Sequence, residues 1–215
     1  MRQHFLNTDN IELSNGDIER HPLHPCIDEE TRVLFLGSFP PQRKRWAKGF
    51  DFFYPNFIND HWRIMGLIFH GDKDYFVDLD NKTYRYEEII RFVKERHLGY
   101  YDTSEAVRRL KDNASDKFLE VVEQTDIAAL VSRAPRLRQI IVTGEKAADT
   151  ICRHFGIERQ PKMGESVQID ALRNSEGEKI RLHRLPSSSR AYPMNIRKKA
   201  EYYRQALTEA EVLTS

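Results

Sequence analysis

The sequence predicts an α/β protein whose mostly parallel sheet is covered by helices on both faces. Two short apolar runs, 32–36 and 139–143, are typical of buried strands. Helical patterns alternate with predicted strands along the chain, and this alternation is typical of parallel sheets with helical connections. The length of 215 residues suits one domain with its own hydrophobic core, so we expect a single domain over 1–215.

The first part of the chain consists of an arm, a strand and a long loop. Residues 1–30 are polar and contain two prolines, which predicts an irregular arm that leads into the strand 32–36. The loop 38–58 contains three prolines and many aromatic residues. Long loops in compact domains are usually functional or disordered, and this aromatic content argues against disorder.

A helix and a small insertion are predicted after the long loop. Asn59 or Asp60 can cap a helix that runs to about Phe69. Residues 70–86 are polar and mixed, so we expect a small insertion with a hairpin around Asp80-Asn81.

The rest of the chain supplies the remaining helices and strands. An amphipathic helix is expected at 86–96, and Gly99 can end its last turn. The other predicted elements are an extended piece at 100–103, helices at 115–123, 126–133 and 145–155, a hairpin of 167–172 with 179–185, and a final helix from Pro193 to about Leu213 with the proline in its first turn.

Composition excludes several classes of protein. The net charge is only +1, so binding to a polyanion must depend on local clusters of charge. The two cysteines, Cys26 and Cys152, provide neither a disulfide framework nor a metal-ligand set, and we expect no metal and no cofactor. No apolar run approaches the ~20 residues of a membrane span. We therefore interpret the chain as a reduced, cytoplasmic, monomeric protein that does not bind membranes.

A rigid loop follows the first predicted strand. Its sequence is Gly37-Ser38-Phe39-Pro40-Pro41. It lacks the later glycines and the lysine of a phosphate-binding loop, and its prolines remove backbone donors. These properties favour a fixed pocket wall at the carboxyl end of a strand, where open α/β sheets bind their ligands.

A second loop follows the strand 179–185. Its sequence, Leu185-Pro186-Ser187-Ser188-Ser189-Arg190, offers hydroxyl groups and backbone amides ahead of a helix, a combination that suits phosphate oxygens. Arg190 and Tyr192 can probe or fill a DNA stack. The structural alternative is a serine-rich turn that only caps the last helix.

The segment between these loops indicates a flat ligand. Aromatic side chains stack on bases at about 1–3 kcal/mol per base, and 52–62 is rich in them. Asn56 and Asn59 add carboxamides, which read base edges. Basic clusters at 43–48 and 197–199 flank the loops, where contacts to a nucleic-acid backbone would be needed. The alternatives are core packing for the aromatic residues and solvated faces for the charges.

In this order and spacing, the motifs resemble the uracil-DNA glycosylase superfamily. The similarity is greatest to the mismatch-specific and thymine-DNA glycosylase branch and to the hypoxanthine (deoxyinosine) DNA glycosylases. It runs from about residue 22 to 207 and leaves out 70–86. The motifs that carry it are the two loops, the segment Phe52 to Trp62 with Arg63-Ile64-Met65-Gly66, Tyr100-Tyr101-Asp102, Asp116, Ile141-Val142-Thr143-Gly144 and Tyr202-Tyr203.

The resemblance implies a three-layer α/β/α sandwich and a monofunctional DNA glycosylase. Such an enzyme flips a damaged base out of double-stranded DNA and hydrolyses its N-glycosidic bond without a metal or cofactor. Hypoxanthine is the first expected substrate, and uracil is the second. The base pocket is expected to contain Gly37, Phe39, Phe52 as the stacking ring, and Asn56. DNA contacts are expected from Ser187, Ser188, Ser189, Arg190 and Tyr192.

Two positions depart from the common pattern of the superfamily. Phe39 stands where many members have Asp or Asn, and Leu185 stands where many have His or Asn. In the hypoxanthine branch an asparagine before the tryptophan takes over part of the catalytic function of these two groups. Asn59 matches this asparagine by its distance in sequence to Trp62. We expect Asn59 to position water or the base, with Asn56 as its rival and Ser38 and Ser187 as further candidates.

Two other classes of function stay open on the sequence alone. A binding module of the same fold would keep the pocket without catalysis, and the two departures favour it. A small-molecule or nucleotide-binding α/β protein is the third class, although no phosphate-loop signature supports it.

Overall fold

The computed structural model describes residues 5–6, 18–110 and 119–213. In chain order the strands are β1 (Ile18–Arg20), β2 (Val33–Gly37), β3 (Val77–Asp78), β4 (Thr83–Tyr84), β5 (Leu98–Asp102), β6 (Ser104–Arg109), β7 (Leu119–Gln124), β8 (Gln139–Thr143), β9 (Ser166–Arg173) and β10 (Lys179–Leu185). The α-helices are α1 (His61–His70), α2 (Tyr86–Glu95), α3 (Ile127–Ser132), α4 (Glu145–His154) and α5 (Ile196–Glu209).

A five-stranded, mostly parallel sheet forms the centre of the fold. Its strand order is β5-β2-β8-β10-β9, and only β9 runs antiparallel to its neighbour. The register aligns Gly37 with Asp102 and Leu185 with Thr143. The carboxyl ends of four neighbouring strands therefore meet at one edge of the sheet.

Burial along the central strands shows that both faces of the sheet are covered. Every residue of β2 from Val33 to Leu36 is fully buried, as is each residue of β8 from Ile140 to Val142. Because successive side chains of a strand point to opposite faces, continuous burial requires a layer on each side. The predicted three-layer sandwich is confirmed, with α1 packed on α5, α5 on β10, α2 on β5 and α4 on β8.

A second sheet corrects two predictions. The arm is not wholly irregular, because β1 pairs antiparallel with β6, which pairs with β7. The helix predicted at 115–123 is wrong from Leu119 onward, where the chain forms β7. Its neighbouring valines favour a strand, and pairing with β6 decides between the two patterns. Residues 111–118, and with them Asp116, lie outside the described part of the chain.

Two helix boundaries also differ from prediction. Gly99 does not end α2; it lies in β5, where a Cβ atom would approach Thr31 Cγ2 to 2.8 Å. The last helix does not start at Pro193. It starts at Ile196, because the Asn195 side chain caps it by accepting a hydrogen bond from the Lys198 amide at 2.9 Å.

The remaining predicted elements are present. The hairpin of the insertion forms between β3 and β4, and Asp60 is the N-cap residue of α1. The hairpin of β9 and β10 and the helix α4 also occur where the sequence places them. Within the described residues, no helix is long and apolar enough to cross a membrane.

Candidate active site

A cavity of about 1060 Å³ lies where the parallel strands end. Each of the four parallel strands contributes a terminal residue to its lining: Asp102 from β5, Gly37 from β2, Thr143 from β8 and Leu185 from β10. This is the edge at which an open α/β sheet binds its ligand, and it is where the sequence predicts one.

The loop at the end of β2, residues 37–41, forms one wall of the cavity and is called the first loop below. All five of its residues line the cavity. Two side chains fix the loop through its proline carbonyls. Arg109 Nη2 donates to Pro40 O at 2.7 Å, and Trp46 Nε1 donates to Pro41 O at 2.7 Å. The wall is therefore rigid before any ligand arrives.

Gly37 is required by a close approach of β5. An ideal Cβ at this position would lie 2.2 Å from Asp102 Oδ1, so the carboxylate or the backbone would have to shift to accept a side chain here. The absence of a side chain lets the carboxylate of Asp102 share the cavity with the first loop.

The aromatic wall is not formed by the predicted ring. Phe52 is fully buried and does not line the cavity; its ring packs edge-on against Phe5, with ring centroids 5.0 Å apart. Phe53 and Tyr54 line the cavity in its place. Three consecutive aromatic residues point in different directions, and the sequence does not reveal which one faces the ligand.

Tyr54 is held in an unusual backbone conformation at the cavity. Its φ is 53°, its ring stacks on His61 with centroids 3.8 Å apart, and its hydroxyl lies 3.2 Å from Thr143 Oγ1. Left-handed φ values of non-glycine residues cluster at functional sites. Burial raises the pKa of the Tyr54 hydroxyl and lowers that of His61 well below its usual value, so both rings are neutral.

Both predicted asparagines line the cavity. Asn59 Oδ1 accepts a hydrogen bond from the His61 amide at 2.9 Å, and Asn56 Oδ1 accepts from the Ile58 amide at 3.2 Å. The Tyr84 hydroxyl contacts both backbone carbonyls, at 3.0 and 3.1 Å. Each side chain is thereby oriented through its oxygen, which leaves its NH₂ group as a donor for a ligand.

The loop that ends β10, residues 185–190, forms the opposite wall and is called the serine loop below. Ser187, Ser188 and Ser189 line the cavity, and a β-bridge joins Ser189 to Asn59. The Asp60 amide donates to Ser188 O at 2.9 Å. The two segments that the sequence places far apart are thus in direct backbone contact.

The two predicted DNA probes have different environments. Arg190 does not line the cavity; its Nε donates to Asp60 Oδ1 at 2.8 Å. Tyr192 does line it, and its hydroxyl donates to Met163 Sδ at 3.0 Å. In this conformation Arg190 anchors the serine loop to the start of α1 instead of reaching outward.

Comparisons with known proteins give two informative matches, while no family model matches the chain. A hypoxanthine DNA glycosylase of Methanosarcina barkeri is 28% identical over 139 residues, which cover 62% of this chain and 78% of that protein. The solution NMR structure of a candidate uracil DNA glycosylase from Methanosarcina acetivorans matches with a TM-score of 0.57 and 23% identity. That match covers 90% of this chain and 99% of that one, and it establishes the fold.

The chain is similar in sequence to a hypoxanthine DNA glycosylase and shares the fold of a candidate uracil DNA glycosylase. The resemblance predicted from the motifs is confirmed at this level, and the relatives support the expected enzyme class, a DNA glycosylase.

A buried pair of residues that no sequence motif indicates lies at the β5 side of the cavity. His21 Nε2 lies 2.8 Å from Asp102 Oδ2, and both residues are more than nine-tenths buried. His21 follows β1 and packs on the rings of Phe39 and Tyr101. The two residues are 81 positions apart in the sequence, so no local motif indicates that they are in contact.

Basic residues occur at the cavity, but they are not those of the two predicted clusters. Arg109, Lys146, Arg153 and Arg184 line it together with Glu145 and Asp149. Of the predicted residues, Lys199 is buried and its Nζ donates to Ser189 O at 2.7 Å, and Arg43 pairs with Asp51 at 2.8 Å. Among the described residues, no group of three His, Cys, Asp or Glu side chains has the arrangement of a metal site.

Proposed function

We propose that this protein is a monofunctional DNA glycosylase that excises a deaminated base from double-stranded DNA, with hypoxanthine as the first substrate and uracil as the second. The observation that carries the proposal is convergence: Gly37, Asn59 and Ser187, which are far apart in sequence, line one cavity at the strand ends. The hypoxanthine activity of the Methanosarcina barkeri relative supports the first substrate.

The cavity suits a flipped nucleotide. The lining offers a flipped base the rigid loop after β2, the rings of Phe53 and Tyr54, and the hydroxyl groups of the serine loop. Serine hydroxyls and backbone amides bind phosphate oxygens, and these contacts fix the register of the protein on DNA. The unstacking and unpairing energy that flipping costs is smallest for a mismatched or damaged base, which is one source of selectivity.

The reaction requires charge stabilisation more than a strong nucleophile. The bond between C1′ and the base nitrogen breaks, its electron pair leaves with the base, and water adds to the oxocarbenium-like sugar and loses a proton. Donors aimed at the leaving base stabilise the negative charge that develops on it. Asn59 Nδ2 and the amides of Ser38 and Phe39 are among the donors that line the cavity, and Asn56 Nδ2 is a further one.

The apolar side chains of Phe39 and Leu185 exclude two catalytic groups that are common in the superfamily. Phe39 packs with Val107 and Leu119, and Leu185 is almost fully buried. Neither can activate water or donate to a leaving base. Catalysis therefore depends on Asn59 and the backbone donors, and we expect a slower enzyme than one with polar side chains at both positions.

A strand-scission assay tests the activity. The purified protein is incubated with duplexes that carry one hypoxanthine, uracil or xanthine, and abasic sites are then cleaved with alkali. We expect scission with hypoxanthine first and uracil second. No scission with any lesion, together with tight and salt-sensitive duplex binding, would overturn the enzyme and indicate a binding module of the same fold.

A pair of variants tests the assignment of Asn59. Asn59→Ala removes the cavity donor, and we expect a loss of about 10²-fold or more in single-turnover rate, as for other donors to a developing anion. Asn56→Ala is the matched control, since Asn56 lines the same cavity and makes the same type of turn. A full rate for Asn59→Ala with a large loss for Asn56→Ala would transfer the role to Asn56.

A further inference from the structure

The serine loop does not supply a side chain to fill the gap that a flipped nucleotide leaves in DNA. Its three serines are small and polar, and its arginine, Arg190, is bound to Asp60. Tyr192, which lies just beyond it, is bound to Met163 in the cavity. Proteins that unstack a base step commonly insert an apolar side chain, such as isoleucine or leucine, between the neighbouring bases. An apolar filler therefore has to come from another wall of the cavity.

Ile58 is an exposed apolar residue beside the serine loop. It is 56% exposed, although Asn56 and Asn59 on either side of it line the cavity. Asn59 pairs with Ser189 through a β-bridge, so Ile58 lies one residue from a segment in backbone contact with the serine loop. That loop offers the hydroxyl groups and amides that suit phosphate oxygens. Ile58 therefore lies at the mouth of the cavity, on the side where the DNA backbone is expected.

The backbone of 56–59 is a tight turn that holds Ile58 at its tip. The Asn59 amide donates to Asn56 O at 2.8 Å, so Phe57 and Ile58 are the two central residues of a β-turn. The ring of Phe57 packs inward, with its centroid 5.7 Å from that of Tyr84, whereas Ile58 stays exposed. Isoleucine is branched at Cβ and restricted in χ1, so its insertion into DNA costs little side-chain freedom.

A tyrosine of the insertion 70–86 holds this turn from behind. The Tyr84 hydroxyl lies 3.0 Å from Asn56 O and 3.1 Å from Asn59 O, at the two ends of the turn. Burial raises the pKa of Tyr84 to about 12, so the hydroxyl keeps its proton and donates it to these carbonyls. Arg63 Nη1 donates to Phe57 O at 3.2 Å. Three carbonyls of the turn are therefore bound by side chains, and its tip is rigid before DNA arrives.

We infer that Ile58 enters the DNA stack and fills the space of the flipped nucleotide, and that Tyr84 positions it by holding the turn. The inference rests on the proposed function, because a filler is needed only where a base leaves the stack. It also gives a role to the insertion. None of the described residues 70–86 lines the cavity, yet the insertion fixes the turn that carries both Ile58 and Asn59.

The test compares two duplexes that differ only opposite the lesion, which is hypoxanthine or uracil, whichever wild type excises faster. One duplex carries a normal base there, and the other carries a pyrene nucleotide, whose flat ring fills the stack and displaces the lesion by itself. Ile58→Ala is expected to slow single-turnover excision from the ordinary duplex on the order of tenfold or more, since the cost of unstacking is no longer offset. With pyrene we expect Ile58→Ala to match wild type, and we expect Ile58→Leu to retain most of the rate on both duplexes.

Two further variants locate the effect. Leu79→Ala is the matched control, because Leu79 is 60% exposed in the insertion, and we expect no change with either duplex. Leu110→Ala tests a competing position, since Leu110 is equally exposed and follows Arg109 in the cavity lining. An equal effect of Ile58→Ala on both duplexes, or a loss rescued by pyrene in Leu110→Ala alone, would show that the inference is wrong. Circular dichroism and thermal unfolding verify that each variant is folded.

Tyr84 is a positioning residue, and a double variant tests whether it acts through Ile58. Tyr84→Phe removes only the hydroxyl. Because the same turn carries Asn59, we expect slower excision from both duplexes, with a larger loss on the ordinary one. In the Ile58→Ala background this extra loss should vanish, since residues that act together are not additive. A residue that only supported the fold would slow both duplexes by the same factor in either background.

The failure of the proposed function has a different signature. If wild type excises no lesion from either duplex, that function fails, and the insertion of Ile58 is then measured by binding alone. The fluorescence of 2-aminopurine placed beside the lesion increases when its stack opens. A larger increase with wild type than with Ile58→Ala supports the insertion, and an equal increase, or none, overturns it.

Discussion

At the scale of single residues, the site depends on one close approach. Gly37 has no side chain, so Asp102 can share its space, and the loop after β2 can remain at the cavity wall. The sequence places this glycine at the start of the loop that follows the first predicted strand. Its actual constraint comes from β5, which is distant in sequence and adjacent in the sheet.

Gly37→Ala is expected to abolish most of the excision activity. The added Cβ would lie 2.2 Å from Asp102 Oδ1, so the carboxylate or the loop must move. A shift of about 1 Å in a catalytic group can cost about 10²-fold in rate. The assay is single-turnover excision, and thermal unfolding verifies that the variant is folded. Equal rates for wild type and Gly37→Ala would contradict the steric argument.

At the scale of elements, an ionic cluster fixes the serine loop to two helices. Asp60 precedes α1, and its Oδ1 forms an ion pair with Arg190 Nε at 2.8 Å. Nζ of the buried Lys199 in α5 lies 3.7 Å from Oδ2 of the same carboxylate. Lys199 also donates to Ser189 O. The cluster positions the loop against Asn59 and explains why a basic cluster predicted to contact DNA is partly internal.

The members of this cluster are expected to differ in their effect on stability. Asp60→Asn leaves the buried Lys199 ammonium without its counter-charge, and removal of one partner of a buried pair costs about 3–5 kcal/mol. Arg190→Met breaks a half-exposed pair, for which we expect about 1 kcal/mol or less. Urea unfolding measures both free energies. A larger loss for Arg190→Met would show that the exposed pair is the stabilising one.

Elements also show where prediction from sequence succeeds. The strand-then-loop pattern located both loops of the cavity, because parallel strands must end at a common edge. The pattern could not assign Leu119–Gln124, whose strand depends on pairing with β6. It could not choose among Phe52, Phe53 and Tyr54, since the direction of each ring is decided by tertiary packing, and it contained no sign that His21 meets Asp102.

At the scale of the whole molecule, DNA binding cannot depend on net charge, which is +1. The cavity instead has a basic rim on the α4 side, where Arg153 and Arg184 line it. Local positive charge of this kind contacts phosphates and makes affinity depend on salt.

Arg153→Gln is expected to weaken duplex binding without a change in base preference. The slope of log Kobs against log salt should become shallower by about 1, as expected for the loss of one phosphate contact. Arg173→Gln is the matched control, since Arg173 is exposed and pairs with Lys179 at the opposite edge of the sheet. Fluorescence anisotropy at several salt concentrations measures both slopes. An unchanged slope for Arg153→Gln would show that Arg153 does not contact a DNA phosphate.

The contact between His21 and Asp102 has a consequence for how the molecule becomes active during synthesis. It closes a loop of 81 positions, and long-range contacts form late because the entropy of loop closure must be overcome first. A growing chain can complete α1 and the first loop well before β5 has been made. The β5 side of the pocket can then form only after residue 102 has been made, and the cavity is completed later still, when the loop after β10 has been synthesised.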